Sequence, residues 1–141
     1  VLRYLPSQHY AAHHDFFDPA DYQAGSRKDH GLATNRLATI FFYLNNVEAG
    51  GETGFPRSGG LDQPRDFLDC TLGFAAKPKK RRVVIFYSML PSGEFDQYSL
   101  HAGCDVINGT KWAANYWLWN TPQMSSFSQN SDIKAMLQEL L

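Results

Sequence analysis

Several things are missing from this chain, and each absence removes a class of function. No apolar run is long enough to cross a bilayer: the longest, "LATIFFYL" at 37–44, falls well short of the roughly 20 residues a span needs. Neither sign of charge is in excess. The 13 basic and 14 acidic residues leave a net charge of −1, so the basic surface that nucleic-acid binding requires is not there. Cysteine is nearly absent too. Cys70 and Cys104 match no zinc-ribbon spacing, and they read equally well as two buried thiols or one disulfide. There is no internal repeat, no low-complexity tract and no visible signal peptide. The first residue, Val1, already falls in a candidate strand, so the expectation is one catalytic domain, 1–141, cut from a longer chain.

What is present points to a β-rich domain. Aromatics make up 14% of the chain, and 11 Gly with 7 Pro imply many turns. Short strands are expected at 1–5 and 11–17. Segment 36–45, "RLATIFFYLN", is apolar on both faces and predicts a buried central strand. Residues 49–56 hold a tight turn and a short strand, and further strands are expected at 74–78, 82–90, 98–106 and 110–119. The tail "NSDIKAMLQELL" predicts an amphipathic helix with Ser131 as N-cap and Ile133, Met136, Leu137 and Leu140 on its apolar face. Eight or so strands with one C-terminal helix suggest an all-β jelly roll. Two long irregular segments, 18–35 and 57–73, are candidates for closing over a ligand. The run "KPKKRR" at 77–82 lies between two strands and reads as a solvated turn rather than a nuclear-localisation patch.

The chemistry begins in "HYAAHHDFFDP" at 9–19, which holds three of the five histidines. His9 and His13 have the i, i+4 spacing of zinc peptidases, but that motif needs Glu directly after its first His, and position 10 is Tyr. On a strand, His13 and Asp15 share one face and His14 takes the other. A His and a carboxylate on one face, with a distant His, are the donor set of the non-haem Fe(II) facial triad. His101, in a predicted strand, is a better third ligand than His30, in a polar loop. Farther along, Lys111, Ala113, Asn115 and Trp117 share one face of "KWAANYWLW", and both faces of that strand are largely apolar. A lysine in such an interior needs an anionic partner, either a protein carboxylate or an acidic ligand.

Three stretches carry a family resemblance: "HHD" at 13–15, "NRLATIFFYLNNVEAGGETGFP" at 35–56 and "YSLHAGCDVINGTKWAANYWLW" at 98–119. In order, spacing and flanking residues they resemble the catalytic domain of prolyl 4-hydroxylases, the collagen-type and transmembrane-type branch of the Fe(II)/2-oxoglutarate dioxygenases. The resemblance implies a double-stranded β-helix, with His13, Asp15 and His101 binding Fe(II). It implies that Lys111, helped by Tyr4 and Thr53, holds the distal carboxylate of 2-oxoglutarate. Tyr10, Arg36 and Trp117 fall where family members contact the prolyl substrate. Strict alternation puts Tyr10 opposite His13, so its role requires a break near Ala11 or Ala12. The resemblance also implies a Cys70–Cys104 disulfide, tethering the His101 strand to the second loop, and through it the endoplasmic reticulum or secretory-pathway lumen.

Fe(II), 2-oxoglutarate, O2 and L-ascorbate are the implied cofactors, and a proline-rich segment in polyproline II form is the implied partner. No contact of this segment with nucleic acid or membrane is expected, and the sequence leaves the oligomeric state open. Lysine rather than arginine at 111 favours the collagen-type branch. Two departures stand out: His14 occupies the middle of H-x-D, where the family has an aromatic, and Arg81 stands where a Gly is usual. Two other readings stay open: a 2-oxoglutarate/Fe(II) oxygenase acting on another peptide residue or a small molecule, and a metal-binding jelly roll without catalysis.

Overall fold

The central apolar segment becomes β3 (Arg36–Tyr43), whose β-branched and aromatic residues suit a strand with neighbours on both edges. It pairs antiparallel with β10 (Lys111–Trp119) on one side and β7 (Val83–Tyr87) on the other. With β1 (Leu2–Tyr4) at the far edge of β10, the first sheet has the order β1-β10-β3-β7. The second sheet is β2 (Tyr10–His13), β8 (His101–Gly103), β5 (Thr53–Phe55) and β6 (Phe74–Ala76), in the order β2-β8-β5-β6. A two-stranded pair joins β4 (Ala49–Gly50) to β9 (Val106–Asn108). The structure is a computed structural model and describes residues 1–17 and 35–120. Within them the fold is the antiparallel jelly roll that the strand pattern implies.

Period-two alternation decides what faces the interior. In β3, Thr39, Phe41 and Tyr43 are buried while Phe42 is exposed; in β10, Lys111 and Ala113 are buried while Trp112 is exposed. Phe41, Tyr43 and Ala113 form the core of this layer, with Leu2 and Val84 packed against them. The chain enters the second sheet through the "AGGE" turn. Gly50 sits there at φ +76°, and a Cβ on it would lie 2.2 Å from the Asp105 carbonyl oxygen, so only glycine fits.

Three expectations change. The strand expected over 11–17 stops at His13. Beyond it the chain bends, because the Asn35 side chain brackets Phe17 by accepting from its N–H at 2.9 Å and donating to its carbonyl at 2.8 Å. The strand expected over 98–106 divides. A single 3-10 turn, Gln97–Ser99, is capped by the Asp96 carboxylate, and β8 and β9 then pair with different sheets. Among the described residues there are ten strands rather than about eight. The "KPKKRR" turn is solvated, with Arg81 at φ +72°, the region where glycine is favoured and another residue costs about 1 kcal/mol. Backbone bonds from Arg81 N to Tyr43 O at 3.1 Å and from Arg82 N to Lys79 O at 2.9 Å hold it there. The expected C-terminal helix and residues 18–34 of the first long loop lie outside the described residues; segment 57–73 contains no strand.

Candidate active site

The bend after β2 brings Asp15 beside the two histidines. One ligand atom each from His13, Asp15 and His101 lie within 4.8 Å of one another, a spacing that could hold a metal ion. His13 and His101 are register partners across β2 and β8, so the ladder itself sets their separation. Each imidazole is oriented the same way. His13 Nδ1 bonds the Ala11 carbonyl and His101 Nδ1 bonds the Ser99 carbonyl, both at 2.9 Å and both two residues upstream. A carbonyl only accepts, so each Nδ1 carries the proton and each Nε2 keeps its lone pair. Those Nε2 atoms lie 3.7 and 3.8 Å from the Asp15 carboxylate.

Asp15 is 5% exposed and held from two directions. Thr39 Oγ1 donates to its Oδ2 at 2.5 Å, and the Trp117 indole Nε1 donates to the same oxygen at 3.2 Å. Oδ2 takes both of those bonds, while Oδ1 faces the Arg36 guanidinium, whose Nη1 lies 3.9 Å away. Arg36 reinforces the arrangement by stacking its guanidinium 3.7 Å over the Trp117 ring. Burial holds both histidines below their ordinary pKa, His101 at about 4, where the neighbouring His13 adds to the effect. Both are therefore neutral at physiological pH, the state in which imidazole binds metal.

Lys111 lines the same cavity. It is 2% exposed, and no carboxylate among the described residues forms an ion pair with it. Instead the rings of Tyr4, Phe41 and Tyr43 surround its Nζ at 5.3, 5.3 and 5.5 Å. Burial lowers its pKa to about 8, against an upward pull from Glu52. Of the two partners the sequence allowed, no carboxylate among the described residues takes the first role. Thr53, buried opposite, adds a hydroxyl. The cavity measures about 510 Å³ and is lined by all nine candidate residues: His13, Asp15, His101, Lys111, Tyr4, Thr53, Tyr10, Arg36 and Trp117.

Tyr10 reaches this site through a register shift between Tyr10 and His13, the break that alternation demanded, and its ring meets His13 edge-on at 4.2 Å. His14 also lines the cavity but is not in the ligand cluster; its Nε2 faces the Gln97 carbonyl at 3.3 Å. His9 is at the surface, 2.9 Å from Asp105. Cys70 and Cys104 stand as a disulfide with Cα atoms 5.9 Å apart, outside the cavity. The Phe67 carbonyl of the same loop accepts from Ala12 N at 2.8 Å, which pins the loop to the His13 strand.

Sequence reasoning missed the supports. Thr39 and Tyr43 were visible only as polar members of an apolar strand, both at odd positions and so on one face with Phe41. The signal was their shared alternation. Phe86, whose ring lies 4.4 Å from that of His101, carried no signal beyond its place in a strand.

Comparison with known proteins places the chain among oxygenases. The model of the 2OG-Fe(II) oxygenase superfamily matches residues 1–119. Among curated relatives in Arabidopsis thaliana, probable prolyl 4-hydroxylase 9 is 38% identical over 125 residues, covering 87% of this chain and 41% of its own length. Prolyl 4-hydroxylase 2 is 39% identical over 126 residues, covering 84% of this chain and 40% of its own. The chain thus spans about two-fifths of the curated relatives it matches. Among solved structures, the viral collagen prolyl hydroxylase of Paramecium Bursaria Chlorella virus-1, in its 2OG complex, superimposes with a TM-score of 0.61 at 32% identity. That match covers 85% of this chain and 56% of the viral one.

Proposed function

From the premise that this chain belongs to the 2OG-Fe(II) oxygenase superfamily, we propose that it is the catalytic core of a prolyl 4-hydroxylase. It hydroxylates proline in peptides while 2-oxoglutarate is decarboxylated to succinate and CO2. One observation carries the reading: a single cavity is lined by a cluster of two imidazoles and a carboxylate and by a buried lysine that no carboxylate among the described residues pairs with. The relatives named as prolyl 4-hydroxylases, at 38–39% identity, support the choice of substrate class.

The residues present fit Fe(II) and 2-oxoglutarate. Two neutral imidazoles with free Nε2 atoms and one carboxylate oxygen are the donor set of a non-haem iron site, and they leave coordination positions open. His13, Asp15 and His101 would hold the iron, and Lys111 with Tyr4 and Thr53 would hold the far carboxylate of 2-oxoglutarate. Iron, 2-oxoglutarate and O2 together supply an oxidant able to break a prolyl C–H bond, which no side-chain base is strong enough to deprotonate.

The chain's own work is placement. Thr39 and Trp117 fix Asp15 and spend one of its oxygens, each such bond to a carboxylate being worth roughly 1.5–3 kcal/mol. The Ala11 and Ser99 carbonyls fix both imidazoles. Lys111 anchors a dianion at one depth and one orientation, and its aromatic cage keeps water from the ammonium.

A proline-rich peptide in polyproline II form suits the mouth. Such a chain has no internal backbone hydrogen bonds and little entropy left to lose, and Tyr10, Arg36 and Trp117 present aromatic and guanidinium surfaces to it. Segment 57–73 is pinned to the His13 strand through Phe67 and to Cys104 through Cys70, and none of its residues lines the cavity. The Cys70–Cys104 pair supports an oxidising compartment, the endoplasmic reticulum or secretory lumen, and ascorbate would serve as the reductant.

The test is mass spectrometry of poly-proline, collagen-like and hydroxyproline-rich plant-like peptides after incubation with Fe(II), 2-oxoglutarate and ascorbate. The expected result is the gain of one oxygen on proline in at least one peptide. Oxygen on another residue would move the assignment to a different peptide oxygenase. No succinate from a folded, metal-loaded sample would favour a binding protein.

A further inference from the structure

Thr53 lines the cavity; Tyr43, immediately behind it, does not and is 1% exposed. Three groups converge on the Tyr43 hydroxyl: Thr53 N–H at 3.1 Å, Thr53 Oγ1 at 2.6 Å and the Ala76 carbonyl oxygen at 2.8 Å. Two of these have fixed roles, since the amide only donates and the carbonyl only accepts. The phenol has one proton to give, so its direction decides what Thr53 can do. If the proton goes to Ala76, Thr53 must give its own proton to Tyr43 and shows only lone pairs to the cavity. If Tyr43 turns its proton to Thr53 Oγ1, the Thr53 proton is released toward the cavity. A carboxylate offers acceptors alone, so only the second arrangement receives it.

We propose that Tyr43 is a positioning residue whose hydroxyl turns from the Ala76 carbonyl to Thr53 Oγ1 when a carboxylate arrives beside Lys111, aiming the Thr53 proton at that carboxylate. The inference rests on the reading that the cavity takes 2-oxoglutarate, and it deepens that reading by naming the group that sets the Thr53 contact. The Tyr43 hydroxyl acts through Thr53 because it has no surface of its own on the cavity, and the separate contact of its ring with Lys111 Nζ, at 5.5 Å, is kept when Tyr becomes Phe. Burial also keeps the phenol protonated by raising its pKa, so the proton is always there to be redirected. The chain Tyr43 to Thr53 to carboxylate then runs in one direction, and each bond polarises the next.

The experiment is calorimetric titration of Fe(II)-loaded protein with O2 excluded, comparing 2-oxoglutarate with pyruvate, a 2-oxo acid that lacks the distal carboxylate. Tyr43→Phe should weaken 2-oxoglutarate about 5- to 10-fold and leave pyruvate within about twofold. Thr53→Val should weaken 2-oxoglutarate by about 10-fold or more, and adding Tyr43→Phe to it should change nothing further, because the path runs through Thr53. Multiplying losses in the double variant, an equal loss for pyruvate, or no loss in Tyr43→Phe would each overturn the proposal.

If Tyr43→Phe does not fold, fluorination of the Tyr43 ring beside its hydroxyl gives a stronger donor of nearly the same shape. Tighter 2-oxoglutarate binding with pyruvate unchanged supports the switch; unchanged or weaker binding overturns it. Wild-type protein that binds no 2-oxoglutarate overturns the functional reading and this inference with it. Wild-type binding with multiplying losses overturns the inference alone.

Discussion

Replacing Lys111 by Met should make the protein more stable without co-substrate and unresponsive to it when added. The wild-type ammonium is buried, and its pKa falls from 10.5 to about 8. At roughly 1.4 kcal/mol per unit, that depression corresponds to about 3 kcal/mol of burial cost at pH 7. Its three aromatic neighbours offset about 1 kcal/mol of this. Methionine fills similar space without a charge, so the net gain is about 2 kcal/mol, or a Tm higher by about 4–8 °C. The sign with pH follows from linkage. Between pH 8 and 10.5 the unfolded chain holds the proton that the folded chain has lost, so wild-type stability rises with pH there and the variant's advantage shrinks. Adding 2-oxoglutarate at about 100 times its Kd should stabilise the wild type by roughly 2.7 kcal/mol and the variant by almost nothing. Thermal melts with and without 2-oxoglutarate, from neutral to alkaline pH, read all three effects. A variant that melts below the wild type at pH 7 without ligand, or that keeps the full ligand shift, would refute the reasoning.

Three further outcomes follow from the same geometry. Thr39→Val removes a donor to Asp15 and should weaken Fe(II) binding about 10- to 100-fold, while Asp15→Ala should abolish turnover; equilibrium dialysis and succinate assays measure the two. Both histidines titrate below their ordinary pKa, so metal affinity should stay flat down to about pH 6 and fall toward pH 4 as protons compete. Over the same range the metal-free fold loses stability with falling pH, because the unfolded imidazoles take up protons first; pH-resolved metal titrations and melts check both. Reduction of Cys70–Cys104, which closes a loop with sequence separation 34, should cost about 3–4 kcal/mol and lower the Tm by roughly 10 °C, seen by melting with and without reductant.

Much of the fold and the candidate residues could be read from the chain before any coordinates. β3 and β10 are two-sided apolar runs, and such runs have few alternatives to a central strand. The inward row of Lys111, Ala113, Asn115 and Trp117 followed from alternation alone. What stayed hidden was set by contacts distant in sequence. His13 and Asp15 meet because the chain bends, not because a strand alternates, and the bend depends on Asn35, which is far along the chain. β8 and β9 part at Cys104–Asp105, just past Gly103, because Cys104 N bonds Glu52 O while Asp105 O accepts from Gly51 N. Trp117 was expected only as a substrate wall. Its indole bond to Asp15 depends on a distance between elements that periodicity does not encode.

The most direct test of the account is turnover under isotopically labelled O2 with a proline-rich peptide and 2-oxoglutarate. One labelled oxygen atom should appear on the proline ring and one in succinate, in equal amounts, with neither product from Asp15→Ala. Succinate without labelled hydroxyproline across the whole peptide panel, or proline-bound oxygen that comes from water, would contradict it.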